Sequence, residues 1–132
     1  MMVLVGCSRH GDAEVRKNLP GTWIVDGTNS ADSFESHWAI DVNGDYVCRI
    51  VFQNSEDAIS RTQDMRGKVE VRDGVLIDTM TWHSSTNARL PMISRSRIVR
   101  QNRSELVLSQ ETNSRGEFLT NGEVIVFRKE IK

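Results

Sequence analysis

Few side chains in this 132-residue sequence stand at the spacings that chemistry requires. A metal face needs histidines, cysteines or carboxylates at i, i+2 or i, i+4, whereas His10, His37 and His83 stand far apart, and Cys7 and Cys48 form no Cys-x-x-Cys pair. The expectation is no metal and no cofactor. Asp41-Val42-Asn43-Gly44-Asp45 opens like a calcium loop, but its glycine comes two residues early and the twelfth position is Phe52 in place of glutamate, so a tight turn explains these residues better. The sequence contains no Gly-x-Ser-x-Gly elbow, phosphate loop or dinucleotide fingerprint. Carboxylates such as Asp41 and Asp45 flank a turn, where water solvates them. Nothing here supports catalysis, and the chain reads as a non-enzyme.

Side chains that could hold a ligand are easier to find. Trp38, Tyr46 and Trp82 could stack on an apolar ligand from a lumen or its rim, or could simply fill a core. Arg95 and Arg97, two apart, share one face if their segment is a strand. Turned inward they could grip a carboxylate or phosphate. Turned outward they are solvated, and outward is favoured because unpaired buried charge is costly. Both lie in a run with Arg89, Arg100 and Arg103 that contains no Asp or Glu. Cys48 falls mid-strand, where burial leaves a thiol unreactive. A disulfide from Cys48 to Cys7 would tie an end of the chain to the core, and nothing else suggests a disulfide scaffold.

The elements that must position these residues are strands. Past Pro20 helical periodicity is hard to find, and turn dipeptides separate β-rich segments instead. Asn43-Gly44 divides HWAIDV from DYVCRIVFQ, Asp73-Gly74 divides MRGKVEVR from VLIDTMTWH, and Asn121-Gly122 divides EFLT from EVIVFRK. Such pairs accept positive φ, so each predicts a tight hairpin with a type I′ turn. Further strands at Gly21–Val25, near Arg95–Gln101 and at Glu105–Glu111 bring the number to about eight, which without intervening helices means a sandwich or an up-and-down barrel. Met65, Val69 and Val71 alternate with Arg66, Lys68, Glu70 and Arg72, while Tyr46, Cys48, Ile50 and Phe52 share one face. The polar stretches 27–36, 84–91 and 112–116 read as loops. A short helix over Asp12–Asn18 precedes the strands, with Asp12 as its cap and Pro20 as its stop.

Composition sets the outer limits. With 38% apolar and 27% charged residues the chain is globular, and its length suits one domain with a self-sufficient core. Its 17 Lys and Arg nearly balance 18 Asp and Glu, and the net charge of -1 gives no general attraction to nucleic acid or a membrane surface.

Leu19-Pro20-Gly21-Thr22-Trp23 resembles the Gly-x-Trp start of the first strand in lipocalin-like proteins of the calycin group, where a short helix precedes it. That resemblance implies an all-β fold, an antiparallel up-and-down β-barrel of about eight strands with a short N-terminal helix. It implies that Trp23 plugs the barrel floor beneath a cation from the last strand, Arg128 or Lys129, with Arg128 taken as the floor residue. It further implies a binding protein for a small hydrophobic ligand, with Trp38, Tyr46, Trp82, Arg95 and Arg97 as lumen or rim candidates. The alternative is a cell-envelope interaction or inhibitor module with a filled barrel, acting through loops or the arginine strand. Fatty-acid-binding proteins share Gly-Thr-Trp, but residues 27–36 are too few for their helix pair.

At the N-terminus Leu4-Val5-Gly6-Cys7 resembles the lipobox of bacterial lipoproteins. It implies acylation of Cys7, a cell-envelope location, and membrane contact through the lipid alone. The other reading is a cytoplasmic protein with a short apolar tail packed on its domain, because no basic residue precedes the run and a signal core spans about 7 to 15 apolar residues. Residues 1–11 are thus a leader or tether, and 12–132 the barrel domain.

Overall fold

A helix, α1 (Val3–Asn18), leads into eight strands: β1 (Gly21–Asn29), β2 (Asp32–Ile40), β3 (Asp45–Asn54), β4 (Ser60–Arg72), β5 (Val75–His83), β6 (Met92–Gln101), β7 (Glu105–Gln110) and β8 (Val124–Lys129). This computed structural model describes residues 3–29, 32–54, 60–85, 89–112, 117–119 and 123–130, the side chains of 3–10, 28, 29, 32, 54 and 60 excepted. Each strand pairs antiparallel with the next and β8 returns to β1, so the sheet is a closed up-and-down barrel. Closure removes the sheet edges, and alternation then sends every second side chain into the lumen. Trp23, Val25, Ile40, Tyr46, Cys48, Met65, Val69, Val71, Leu76, Leu106, Leu108 and Phe127 are buried hydrophobic members of that inward set. Cys48 is a free thiol, so no disulfide joins it to Cys7, and burial pushes its pKa up to about 12, which keeps it protonated and unreactive.

The turns follow their local chemistry. Asp73 and Gly74 both have positive φ, 53° and 75°, as a type I′ turn requires. The type I′ turn expected at Asn43-Gly44 does not form, because of these two residues only Gly44 has positive φ, 88°. A longer loop replaces it, closed by Asp41 N donating to Asp45 O at 2.9 Å. The Asp41 carboxylate accepts from the N–H groups of Asn43 and Asp45 at 2.8 and 3.1 Å, so this aspartate organises a turn. Asn121-Gly122 lies outside the described residues. The strand expected at EFLT is replaced by a single bridge, Thr112 to Phe118, and β8 pairs with β7.

Strands also reach further than their side chains advertise. β1 and β2 take in most of the stretch 27–36 expected to be a loop, because ladder pairing needs only backbone groups. At Gly27↔Phe34 the ring covers the glycine so closely that a Cβ there would sit 2.8 Å from it.

Helix α1 begins at Val3, upstream of the expected start, so Asp12 does not cap it. Its carboxylate instead accepts the N–H groups of Asp73 and Gly74 at 2.7 and 2.8 Å, fastening the helix to the β4–β5 turn. Arg16 donates to Val71 O at 2.7 Å, and Val15 and Leu19 are buried, so α1 closes one end of the barrel. Cys7 lies on this helix, but its side chain, like that of His10, is outside the description.

Candidate functional site

The closed end is built around Gly21-Thr22-Trp23. Trp23 is 1% exposed and its Nε1 donates to Leu19 O at 2.7 Å. The cation over its ring is Lys129, with Nζ 4.9 Å from the ring centroid and also donating to Asn18 O. Arg128, the expected floor residue, points outward and pairs with Asp26. Adjacent strand residues face opposite ways, and the register Trp23↔Lys129 selects the lysine. Burial lowers the pKa of the Lys129 ammonium. Gly21 has φ 138°, and a Cβ on it would meet Lys129 Cε at 2.7 Å, so the glycine of the motif leaves a path for the lysine stem.

Above this floor lies a cavity of about 600 Å³, within the range of small-molecule sites. Apolar side chains from every strand but β6 line it, among them Val25, Trp38, Ile50, Val69, Leu76, Leu108 and Phe127, with polar groups from Ser36, Asp78, Ser94, Ser96 and Gln110. Trp38 packs against Tyr46 at 4.9 Å and edge-on against Phe127 at 5.4 Å between ring centroids. Its Nε1 donates to Ser36 Oγ at 3.0 Å, and Ser36 Oγ donates to Val25 O at 3.2 Å. These contacts hold the indole as wall, not plug. The lining also includes both sides of the β1–β8 seam, whose register pairs among the described residues are Trp23↔Lys129 and Ile24↔Arg128.

Asp78 is not among the residues the sequence singles out. It lies on β5 and lines the cavity with Leu76, two residues before it. The Tyr46 hydroxyl donates to its Oδ1 at 2.6 Å, reaching over β4 from β3. Gly67 makes this reach possible. It is the register partner of Tyr46, and a Cβ there would lie 2.7 Å from the phenol oxygen and 2.3 Å from Thr79 O. Burial raises the Asp78 carboxyl from 3.8 to about 6, opposed by the hydrogen bond from Tyr46. Burial, reinforced by the Asp78 charge, also pushes the Tyr46 phenol above its ordinary range, so Tyr46 remains a donor. Gly67→Ala is expected to lower stability by about 1 to 3 kcal/mol through this overpacking. Denaturant unfolding checks it, and a wild-type midpoint would refute the role given to Gly67.

The remaining candidates lie elsewhere. Trp82 is 42% exposed and stands on the outer wall, with the Arg66 guanidinium 5.0 Å over its ring. Arg66 faces Trp82 and Gly67 faces Met80, which leaves Thr81 as a bulge. That extra residue reverses the alternation and turns Trp82 away from the lumen. Arg95 and Arg97 share a face as expected, and it is the exterior, the orientation favoured by the cost of burying unpaired charge, while Ser94 and Ser96 take the interior. Arg97 pairs with Glu111 at 3.2 Å. Of the five lumen or rim candidates, Trp38 lines the cavity, Tyr46 reaches it through Asp78, and Trp82, Arg95 and Arg97 do not face it.

Among solved structures, a de novo designed fluorescence-activating β-barrel matches with a TM-score of 0.50 and 15% identity, covering 89% of this chain and 98% of that one. The structure of EF1p2_mFAP2b bound to DFHBI matches with a TM-score of 0.54 and 14% identity, covering 90% of this chain and 99% of that one. The shared feature is the small β-barrel. At such identities the likeness carries the fold and no residue roles. No family model matches the sequence, and no curated protein is significantly similar to it.

Proposed function

We propose that this chain is a binding protein that holds a small, largely apolar ligand in the barrel lumen, in the manner of a lipocalin-like carrier and not of an enzyme. The cavity of about 600 Å³ carries the reading. An eight-stranded barrel can be packed solid by its own side chains. Here space remains because Trp82 is turned out and serines occupy the inward positions 36, 94 and 96. A barrel of similar fold is bound to DFHBI, which supports the reading at the level of architecture. The alternative of an interaction module with a filled barrel is disfavoured by a lumen of this volume.

Titration with 1-naphthalenemethanol, a neutral apolar probe, tests the reading. Saturable binding is expected, with a change in tryptophan fluorescence as the probe meets Trp38. Ser94→Phe, which places a ring inside the cavity, is expected to weaken binding at least about tenfold. Unchanged affinity in a folded Ser94→Phe protein would remove the lumen as the site.

A further inference from the structure

We propose that the lumen selects ligands that carry a protonated amine on an apolar body, with the ammonium held against Asp78. The inference rests on the ligand-binding reading above and names the chemistry of its ligand.

Asp78 is a carboxylate set in a largely apolar wall. Its register neighbours are Val69 on β4 and Ser94 on β6, neither charged. Tyr46 is its one hydrogen-bond partner among the described residues and occupies only Oδ1. No ion pair to Asp78 forms among the described residues. A neutral amide could also accept a hydrogen bond from Tyr46, a weaker one than a carboxylate receives, without the cost of holding a charge away from water. Joining β3 to β5 therefore does not account for an acid at this position. A ligand ammonium does: it supplies the missing positive charge and several donors to a carboxylate with unused acceptor capacity. The body of the same ligand would lie against Trp38, Leu76 and Phe127, which share the cavity. The carboxylate equally disfavours an anionic ligand.

The other charged groups around Asp78 do not supply the cation. Tyr46 and Cys48 on β3 keep their protons through the neutral range. On β4 the inward Gly67 and Val69 carry no charge, and on β6 neither do Ser94 and Ser96. Across the lumen, Asp26, Glu123 and Arg128 flank the β1–β8 seam, where Arg128 is paired with Asp26. His83, on β5 itself, accepts the Ser85 N–H at Nδ1, 2.8 Å away. With its carboxyl raised by burial to about 6, Asp78 is charged at pH 8 and largely neutral at pH 5.

Calorimetric titration of the full chain with 1-naphthylmethylamine, 1-naphthalenemethanol and 1-naphthoate tests the inference. At pH 8 the amine is expected to bind at least about tenfold tighter than the alcohol, and the naphthoate weakest. The preference for the amine should shrink at pH 5, where the probe is still protonated but Asp78 is not. Asp78→Asn should bring the preference to within about twofold of unity at pH 8 and remove its pH dependence, which separates Asp78 from His83 and the seam groups. An alcohol that binds as tightly as the amine would overturn the inference and leave the carrier reading standing. A preference that survives in Asp78→Asn, or that does not change with pH in the wild-type protein, would overturn it too. Binding of no probe would overturn both.

Discussion

Trp23→Ala is expected to lower stability by about 3 to 5 kcal/mol, the range for truncating a fully buried aromatic ring. The indole is 1% exposed and sits where three parts of the chain meet: the end of α1, the start of β1 and the end of β8. Removing it opens the floor of a lumen that already holds a cavity, so the surroundings have little means of collapsing into the gap. Leu19 O loses its 2.7 Å donor, and Lys129 loses the ring that faces its ammonium. Among the described residues the β1–β8 seam has two register pairs, and Trp23↔Lys129 is one of them, so closure of the barrel weakens at the same stroke. Trp23→Phe keeps a ring in place and loses the Nε1 bond, and a smaller loss of about 1 kcal/mol from that bond is expected for it beyond any change in packing. Urea unfolding of both variants measures the difference. A Trp23→Ala protein that melts within a few degrees of wild type would show that the indole does not hold the floor.

The barrel was legible wherever backbone chemistry and alternation point the same way. Asp73-Gly74 adopts the positive φ angles its residue types favour, and Met65, Val69 and Val71 are buried as their spacing demands. Gly21-Thr22-Trp23 marks the first strand because each outer residue has a mechanical task there, the glycine clearing the lysine stem and the tryptophan filling the floor. Legibility fails where one residue changes the parity of a strand. Trp82 belongs by spacing with Leu76, Asp78 and Met80, and the Thr81 bulge, which no residue type announces, sends it outward. The choice between Arg128 and Lys129 likewise depends on a register set by a partner strand more than 100 residues away, as the pairing Ile24↔Arg128 shows. Asp12 has the composition of a helix cap, yet its carboxylate serves a turn 61 residues downstream. Asp78 escaped notice for a related reason. An acid within VLIDTMTWH is unremarkable on an outer face, and it becomes a site only once β5 is known to point it into a cavity.

That position has a cost that can be measured. An unfolded aspartate ionises near its ordinary value, whereas burial raises folded Asp78 to about 6. The folded protein therefore binds the Asp78 proton more tightly than the unfolded chain does. The contribution is fully present below the unfolded pKa and is lost as pH rises through about 6. Over that window this one group is expected to withdraw up to about 3 kcal/mol of stability. Surface pairs such as Arg49–Asp64 act in the opposite sense, since Asp64 is held below the usual carboxylate range by the Arg49 hydrogen bond, so the raw pH curve mixes several groups. Comparison with Asp78→Asn isolates the one that matters. The variant should come within about 0.5 kcal/mol of the wild-type protein near pH 4, where Asp78 is protonated in the folded chain and about half ionised in the unfolded one, and should exceed it by about 2 to 3 kcal/mol at pH 8. Guanidinium unfolding of both proteins at the two pH values gives the difference directly. Equal stabilities at pH 8 would mean that the carboxylate is adequately solvated in the lumen, and the case for a ligand cation would lose its physical basis. A variant more stable than the wild type at pH 8 would mark Asp78 as a group whose benefit lies outside folding, which is the pattern expected of a binding residue held in an apolar wall.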